Sequence, residues 1–324
     1  MTKFPFETAE HEAVACNLCG SDQAKTLRNR DRNGLNVTTS ICRRCGLIYI
    51  NPRMIPRWYT EYYNQEYRAQ MARFKGKPVV GHDYDSMFRN STKHGVALAG
   101  LFRQYWEPGL TVEVGSSVGG VLNGIRQTFD LDVIGIEPAS SECDEANARG
   151  VKTFNASIES FNGNLVPAAN IICTQSLNHF LDPHYFFSWA YERLRPNGRL
   201  VLEVMNFRHV FRHFRWMPRA IQIDHTYMFV PEVLTAFAEL AGFEILAIDS
   251  AEHKTIAEIK AIKKSGLPGF HVGIVAKKTN HTPFSGKIKE QFQEVQSSLD
   301  AVPESFAWYF LKFGLKKLFK TRIV

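Results

Sequence analysis

Two sets of residues in this chain have types and spacings that can do chemistry. Cys16-Asn-Leu-Cys19-Gly20 and Cys42-Arg-Arg-Cys45-Gly46 place two thiols on each of two tight turns. Two thiolates in Cys-x-x-Cys can chelate one ion, the following glycine frees amides to face the sulfurs, and two such knuckles complete a tetrahedral Zn²⁺ site. Iron in the same ligand set is the metal alternative, and a pair of disulfides the structural one. Four protein ligands leave no open position for a substrate, so the ion is read as structural, holding a segment too small to build its own core. The second set is Leu110-Thr-Val-Glu-Val-Gly-Ser-Ser-Val-Gly-Gly120 followed by Val133-Ile-Gly-Ile-Glu137-Pro138. Small residues allow close approach at the mouth of a strand-to-helix turn, and an acid ending the neighbouring strand accepts hydrogen bonds from ribose hydroxyls. The pair predicts a nucleoside at the edge of a doubly wound α/β sheet. The spacing Gly115-x-x-x-Gly119 departs from the dinucleotide pattern G-x-G-x-x-G, and Glu113 lies in the strand just before the turn. An acid there repels a pyrophosphate and suits a ligand that carries an ammonium group.

On these residues the chain resembles the class I S-adenosylmethionine-dependent methyltransferases, whose first motif reads acid-x-Gly-x-Gly-x-Gly. Glu113, Gly115 and Gly119 match it, and Ser117 stands at the middle glycine. The resemblance implies that Glu113 serves the methionine end of the donor, that Gly115, Ser117 and Gly119 form the close backbone turn, and that Glu137 serves the ribose. Asn155-Ala-Ser157-Ile158 stands where the family places its adenine-edge residues. Ile171-Ile-Cys-Thr-Gln175-Ser-Leu-Asn-His179-Phe-Leu-Asp-Pro183 looks like the fourth strand and its turn, with Asn178 in place of the usual Glu. Arg193-Leu-Arg-Pro-Asn-Gly198-Arg-Leu-Val-Leu-Glu203 reads as helix end, turn and fifth strand. The knuckles, Asn51-Pro-Arg53 and the Tyr-rich run Tyr62-Tyr-Asn-Gln-Glu-Tyr67-Arg68 together resemble the bacterial methyltransferases of polysaccharide and secondary-metabolite gene sets, which carry an N-terminal ribbon.

The elements that must position these residues follow from the pattern. Residues 1–57 form the ribbon, 58–94 a helical linker or cap, 95–279 the Rossmann-like domain with a basic arm at 206–230, and 280–324 a helical basic tail. Phe243–Asp249 and Phe270–Lys277 are separated by too few residues for a comfortable helix crossover, so the sheet is expected to close with a reversed last strand. Methyl transfer from a sulfonium is an in-line displacement, so the protein mainly positions donor and acceptor and, for a hydroxyl acceptor, removes a proton. His179, just past the fourth strand, and His225, beside Asp224, are the candidate bases; for each the competing reading is a histidine held for structure. Tyr62, Tyr63 and Tyr67 either close over the donor carboxylate or pack one helix face. Cys143 and Cys173 are read as small buried fillers.

The net charge of +7 is unevenly placed. Phe207-Arg-His-Val-Phe-Arg-His-Phe-Arg-Trp-Met-Pro-Arg219 contains no acid, and neither does the stretch holding Lys312, Lys316, Lys317, Lys320 and Arg322. Arg208, Arg212 and Arg215 recur one helical turn apart, either as a solvated face or as a lid over a phosphorylated or lipidic acceptor. The tail beyond Ser305 mixes aromatics with lysines, which fits a helix in a membrane interface or one packed on the body. No apolar run reaches membrane-spanning length, and the first residues lack a signal-peptide pattern, so a cytoplasmic protein is expected, with peripheral contact at the inner membrane face through the tail as an option. The reading that follows is a zinc-bearing methyltransferase acting on a hydroxyl of a sugar, glycolipid or other small metabolite, with nucleic acid disfavoured. The alternatives are a zinc-ribbon rRNA methyltransferase and an inactive ribbon-plus-sheet interaction module.

Overall fold

A computed structural model describes residues 4–75, 81, 83–163 and 165–314. The chain opens with β1 (His11–Glu12), β2 (Ala24–Arg28), β3 (Thr39–Cys42), β4 (Ile48–Ile50) and β5 (Arg53–Met54), followed by the helices α1 (Pro56–Gln65) and α2 (Tyr67–Lys75). Strands and helices then alternate: α3 (Tyr84–Leu101), β6 (Thr111–Val114), α4 (Gly120–Phe129), β7 (Val133–Glu137), α5 (Ser140–Ala148), β8 (Thr153–Asn155), β9 (Ala168–Thr174), α6 (Pro183–Arg193) and β10 (Leu194–Met205). The remainder comprises α7 (Phe207–Phe214), β11 (Tyr227–Met228), α8 (Pro231–Leu240), β12 (Phe243–Ser250), α9 (Ile256–Ser265), β13 (His271–Lys278), α10 (Phe292–Asp300) and the short α11 (Phe306–Tyr309). Two compact units share these elements. One combines Met1–Val80, Asn206–Val230 and Glu290–Val324; the other combines Gly81–Met205 and Pro231–Lys289.

The second unit is a Rossmann-like α/β fold. Its seven-stranded sheet runs β12-β13-β10-β9-β6-β7-β8. The ladders β6 to β7, β7 to β8, β6 to β9 and β9 to β10 are parallel, whereas β13 is antiparallel to both β10 and β12. The reversed last strand expected from the sequence is β13, although the connection into it does contain a helix, α9. Antiparallel neighbours need no crossover, so α9 is free to pack beside the sheet. After β6 the chain steps outward through β7 to β8 and then returns to β9 on the other flank of β6. The carboxyl ends of β6 and β9 therefore border the topological switch point, where open α/β sheets bind ligands.

Local chemistry starts the helices where the sheet needs them. Asp83 caps α3 by accepting from the Ser86 amide at 2.9 Å, and Asp182 caps α6 by accepting from the Tyr185 amide at 3.0 Å with Pro183 in the first turn. A buried cluster of Leu98, Ala99 and Phe102 from α3 and its end, Leu122 and Ile125 from α4, and Ile172, Val201 and Val275 from the strands fills one face of the sheet. Truncating a side chain such as Leu98 to alanine in a core of this kind typically costs about 2–5 kcal/mol.

The first unit builds more than a ribbon. Its four-stranded sheet has the order β11-β4-β3-β2, so the outer strand beside β4 comes from Tyr227–Met228, far along the chain from the knuckles. Tyr227 lies opposite Tyr49 with the two rings stacked, and the Tyr227 hydroxyl accepts from Arg53 at 3.3 Å. The Gln291 and Phe292 amides donate to the Arg44 carbonyl at the start of α10. The Arg208, Arg212 and Arg215 stripe is broken: Arg208 is buried and donates to Ser298 at 2.9 Å, Arg212 is exposed, and Arg215 ends α7 in a left-handed conformation with its side chain on the Pro303 carbonyl. Within the described part of the tail, Phe306 and Tyr309 pack on Trp216, and Phe313 on Phe214, while Phe306, Phe310 and Leu311 keep substantial exposure. Lys316, Lys317, Lys320 and Arg322 lie outside the described residues. Among the described residues no helix is long and apolar enough to cross a membrane.

Candidate donor site and metal centre

The turn after β6 has the tight geometry its small residues suggest. Gly115 sits at φ +75°, and its amide donates to the Ile136 carbonyl at 2.8 Å, tying the turn to β7. A Cβ on Gly115 would lie 2.5 Å from the Ser176 Oγ, so the loops after β6 and β9 touch here, and Ser176 in turn donates to the Gly115 carbonyl at 3.2 Å. Gly119 enters α4 at φ +75°, against Val151. Ser117, which stands where the resembled motif carries glycine, adopts φ +47°; the backbone keeps the conformation of a glycine although the side chain has changed. Substituting Gly115 by alanine is expected to destabilise the protein by about 2 kcal/mol or more, since left-handed strain and the clash with Ser176 add. Urea unfolding of Gly115→Ala and of the Gly115→Ala, Ser176→Ala pair checks this, with the pair recovering only the part due to the Ser176 hydroxyl, because the Ser176 Cβ, 2.7 Å from the added Cβ, remains.

Two acids frame that turn. Glu137 is nearly buried at the end of β7, and both of its oxygens accept backbone amides, from Ser117 at 2.8 Å and from Ala139 at 2.9 Å. Burial raises its pKa above the ordinary carboxylate value, and the two amides hold it down. Each carboxylate oxygen has a second acceptor site, so the geometry leaves room for hydroxyl donors as well. Glu113 is buried inside β6, where Oε1 accepts from the Thr174 hydroxyl at 2.7 Å and Oε2 has no partner. Burial pushes its pKa up to about 8 against the opposing Thr174 hydrogen bond. A buried carboxylate oxygen without a donor is the local feature that a cationic ligand group would complete.

Gln175 follows β9 at φ +54°. Its amide donates to the Glu203 carbonyl at 2.7 Å and its side chain to Glu203 Oε1 at 3.0 Å. The other Glu203 oxygen bonds His94 Nε2 from α3. Burial lowers the His94 pKa, but the Glu203 charge and hydrogen bond outweigh it and leave it raised. Glu203 and His94 are the residues that sequence reasoning passed over. The available signal was an acid inside the apolar run Leu200-Val-Leu-Glu203-Val-Met205, because a fully buried acid needs a partner.

Ser157 and Ile158 follow β8. Ile158 is buried, whereas the Ser157 amide and hydroxyl close a small turn on Ser160. Asn155 donates to the Glu137 and Pro138 carbonyls and so joins the ends of β7 and β8. His179 closes the short turn after β9 and is half-buried. Glu113, Gly115, Ser117, Gly119, Glu137, Ser157, Ile158, Gln175 and His179 all belong to the second unit. His225 belongs to the first, buried between Asp224 and Thr226 ahead of β11. Tyr62 is buried as well, donating its hydroxyl to Gln70 and packing on Tyr63 and Tyr67. Cys143 and Cys173 are buried, as the filler reading expects.

The four knuckle cysteines converge in the first unit, with their sulfurs all within 4.8 Å of one another; Cys16 lies 3.4 Å from Cys45 and Cys19 3.5 Å from Cys42. Tetrahedral zinc with Zn–S bonds of about 2.3 Å sets sulfurs about 3.8 Å apart, so the donor set fits the ion. Each knuckle closes on itself, with the Gly20 amide on the Cys16 carbonyl and the Gly46 amide on the Cys42 carbonyl. Gly46 takes φ +75° and lies against Val295 of α10. The thiols are all free, so no disulfide forms in this arrangement.

Residues 97–248 match a family described as a methyltransferase domain. With the sheet and turn above, this identifies residues 97–248 as a methyltransferase domain and the protein as an enzyme. Solved structures similar to it include an S-adenosylmethionine-dependent methyltransferase from Thermotoga maritima described as a possible histamine N-methyltransferase, 16% identical with a TM-score of 0.44 over 61% of this chain and 95% of that one. A second, from Mesorhizobium loti, is 13% identical with a TM-score of 0.45 over 56% and 96%. A third, the plantazolicin methyltransferase BpumL in complex with SAH, is 11% identical with a TM-score of 0.46 over 68% and 93%. No curated protein matches the chain by sequence.

Proposed function

We propose that the protein transfers a methyl group from S-adenosylmethionine to a hydroxyl of a sugar, glycolipid or other small metabolite, and that its first unit holds a structural zinc ion on Cys16, Cys19, Cys42 and Cys45. What supports a hydroxyl over an amine is the segment after β9. It reads Thr174-Gln-Ser-Leu-Asn178, without the Asn/Asp-Pro-Pro-Tyr type of motif that holds an amino acceptor. His179 and His225 are the candidate bases. In the donor site Glu113 faces the methionine end and Glu137 the ribose, with Gly115, Ser117 and Gly119 beneath the donor, Gln175 beside it, and Ser157 and Ile158 at the adenine. The donor part is tested by calorimetry: Glu137→Ala is expected to weaken S-adenosylmethionine binding by about 1–3 kcal/mol, because ribose hydroxyls lose their acceptor. Unchanged affinity would remove Glu137 from the site. The acceptor part is tested by incubating the protein with radiolabelled donor and fractionated cell extract. Label in glycan, lipid or small molecules is expected, and label in RNA alone would replace this reading with the ribosomal one.

A further inference from the structure

Arg32 and Arg219 bring two guanidinium groups to one phenyl ring. Each lies 3.9 Å from the centroid of Phe74. All three residues belong to the first unit: Arg32 in the turn between β2 and β3, Phe74 near the end of α2, and Arg219 in the helical turn Met217–Ala220. Both arginines are half-buried, and the Nε of each is buried without a hydrogen-bond partner. The Arg32 side chain is placed by a contact from Nη2 to the Met71 sulfur at 3.0 Å, which does nothing for its charge.

The charge balance around this ring is incomplete. Burial lowers the pKa of both arginines, and the charge of Arg219 lowers that of Arg32 further, so the two cations oppose each other. Asp224 and Asp31 favour the Arg32 charge, yet neither is within ion-pair distance of it among the described residues. The Asp31 carboxylate is taken up by its own turn, accepting from the amides of Asn33 and Leu35 and from the Asn33 side chain. Arg219 also lies 5.5 Å from the Phe214 ring centroid and 5.9 Å from that of Tyr309, and among the described residues it forms no ion pair. Phe74 can face a guanidinium, but a ring quadrupole does not neutralise two of them. Buried donors without acceptors and two like charges on one ring without an ion pair call for an anion.

We propose that Arg32 and Arg219, stacked on Phe74, form a binding site for the phosphate group of a phosphorylated ligand. A guanidinium presents parallel donors in a planar fork that matches phosphate oxygens, and a dianion answers both charges at once. A nucleotide and a sugar phosphate share this chemistry. The site is independent of the donor reading, since it lies in the other unit and is assayed without S-adenosylmethionine.

The test is calorimetric titration of the full-length protein with inorganic phosphate, inorganic diphosphate, a nucleoside diphosphate and a sugar 1-phosphate. Saturable binding of at least one is expected, and the tightest identifies the carrier of the phosphate. Arg32→Gln and Arg219→Gln should each weaken that binding by about 10- to 100-fold, the effect of losing charged hydrogen bonds. Arg30→Gln, an exposed neighbour, should leave it unchanged. Circular dichroism confirms that the variants fold. Failure of all four compounds to bind the unaltered protein overturns the proposal whatever the variants do, and so does binding that both glutamine variants retain in full.

Discussion

Replacing Cys45 by serine is expected to strip zinc from the protein and melt much of the first unit, while the seven-stranded sheet survives. The four sulfurs are the knot of that unit. Cys42 ends β3, Cys45 precedes β4, Cys16 and Cys19 form the facing knuckle, and the residues around them, Ile41, Leu47 and Ile48, are fully buried. Ligand thiolates are brought together by folding, so the free energy of metal binding is also folding free energy, about 10–16 kcal/mol for small structural zinc sites near neutral pH. The loss should reach beyond the first fifty residues, since β4 carries β11 along its edge and the second knuckle bonds the start of α10. Elemental analysis should give one zinc per chain in the unaltered protein and none in Cys45→Ser. Hydrogen exchange should show β3, β4 and β11 unprotected in the variant and β6, β9 and β10 still protected. Stoichiometric iron, or a variant whose ribbon strands stay protected, would defeat the assignment.

That expectation depends on contacts the sequence displayed unevenly. The knuckles were legible because a Cys-x-x-Cys-Gly turn is a short-range pattern whose chemistry does not depend on the rest of the fold. The placement of Glu113 and Glu137 was legible for the same reason, as each ends or nearly ends a strand beside a small-residue turn. The pairing of Tyr227 with Tyr49 was not legible, because a two-residue strand carries no period and its partner is set by tertiary closure. Nor was the convergence of Arg32, Phe74 and Arg219, which come from a turn, a helix and a separate arm. The arginine stripe failed for another reason. Helical spacing placed Arg208, Arg212 and Arg215 on one side, but α7 ends at Phe214 and buries Arg208, and periodicity cannot reveal which face of a short helix is covered. Glu203 lay in plain view within an apolar strand, yet its partners His94 and Gln175 come from a helix 109 residues earlier and the end of a neighbouring strand.

Affinity for S-adenosylmethionine is expected to rise with pH and to level off near pH 8, and Glu113→Gln is expected to remove that dependence while making the folded protein more stable in mild alkali. Burial holds the Glu113 carboxyl up to about 8, so at neutral pH most of it is protonated in the free protein. A ligand ammonium group beside the open Oε2 prefers the carboxylate, so binding releases a proton below pH 8 and strengthens as pH approaches that value. The stability sign is separate. The native state holds this proton up to about 8, whereas the unfolded chain releases it near its ordinary value of 4.5. Between those limits the native state binds more protons, so stability falls as pH rises across the window. Glutamine never ionises and escapes the penalty, so the variant should match the parent near pH 4.5 and exceed it at pH 8 by about 1 kcal/mol or more. Thermal melts and titration calorimetry over that range read both effects from the same two proteins. A parent affinity that is flat in pH, or a glutamine variant that binds the donor as tightly at pH 8, would show that Glu113 does not meet the charged end of the donor.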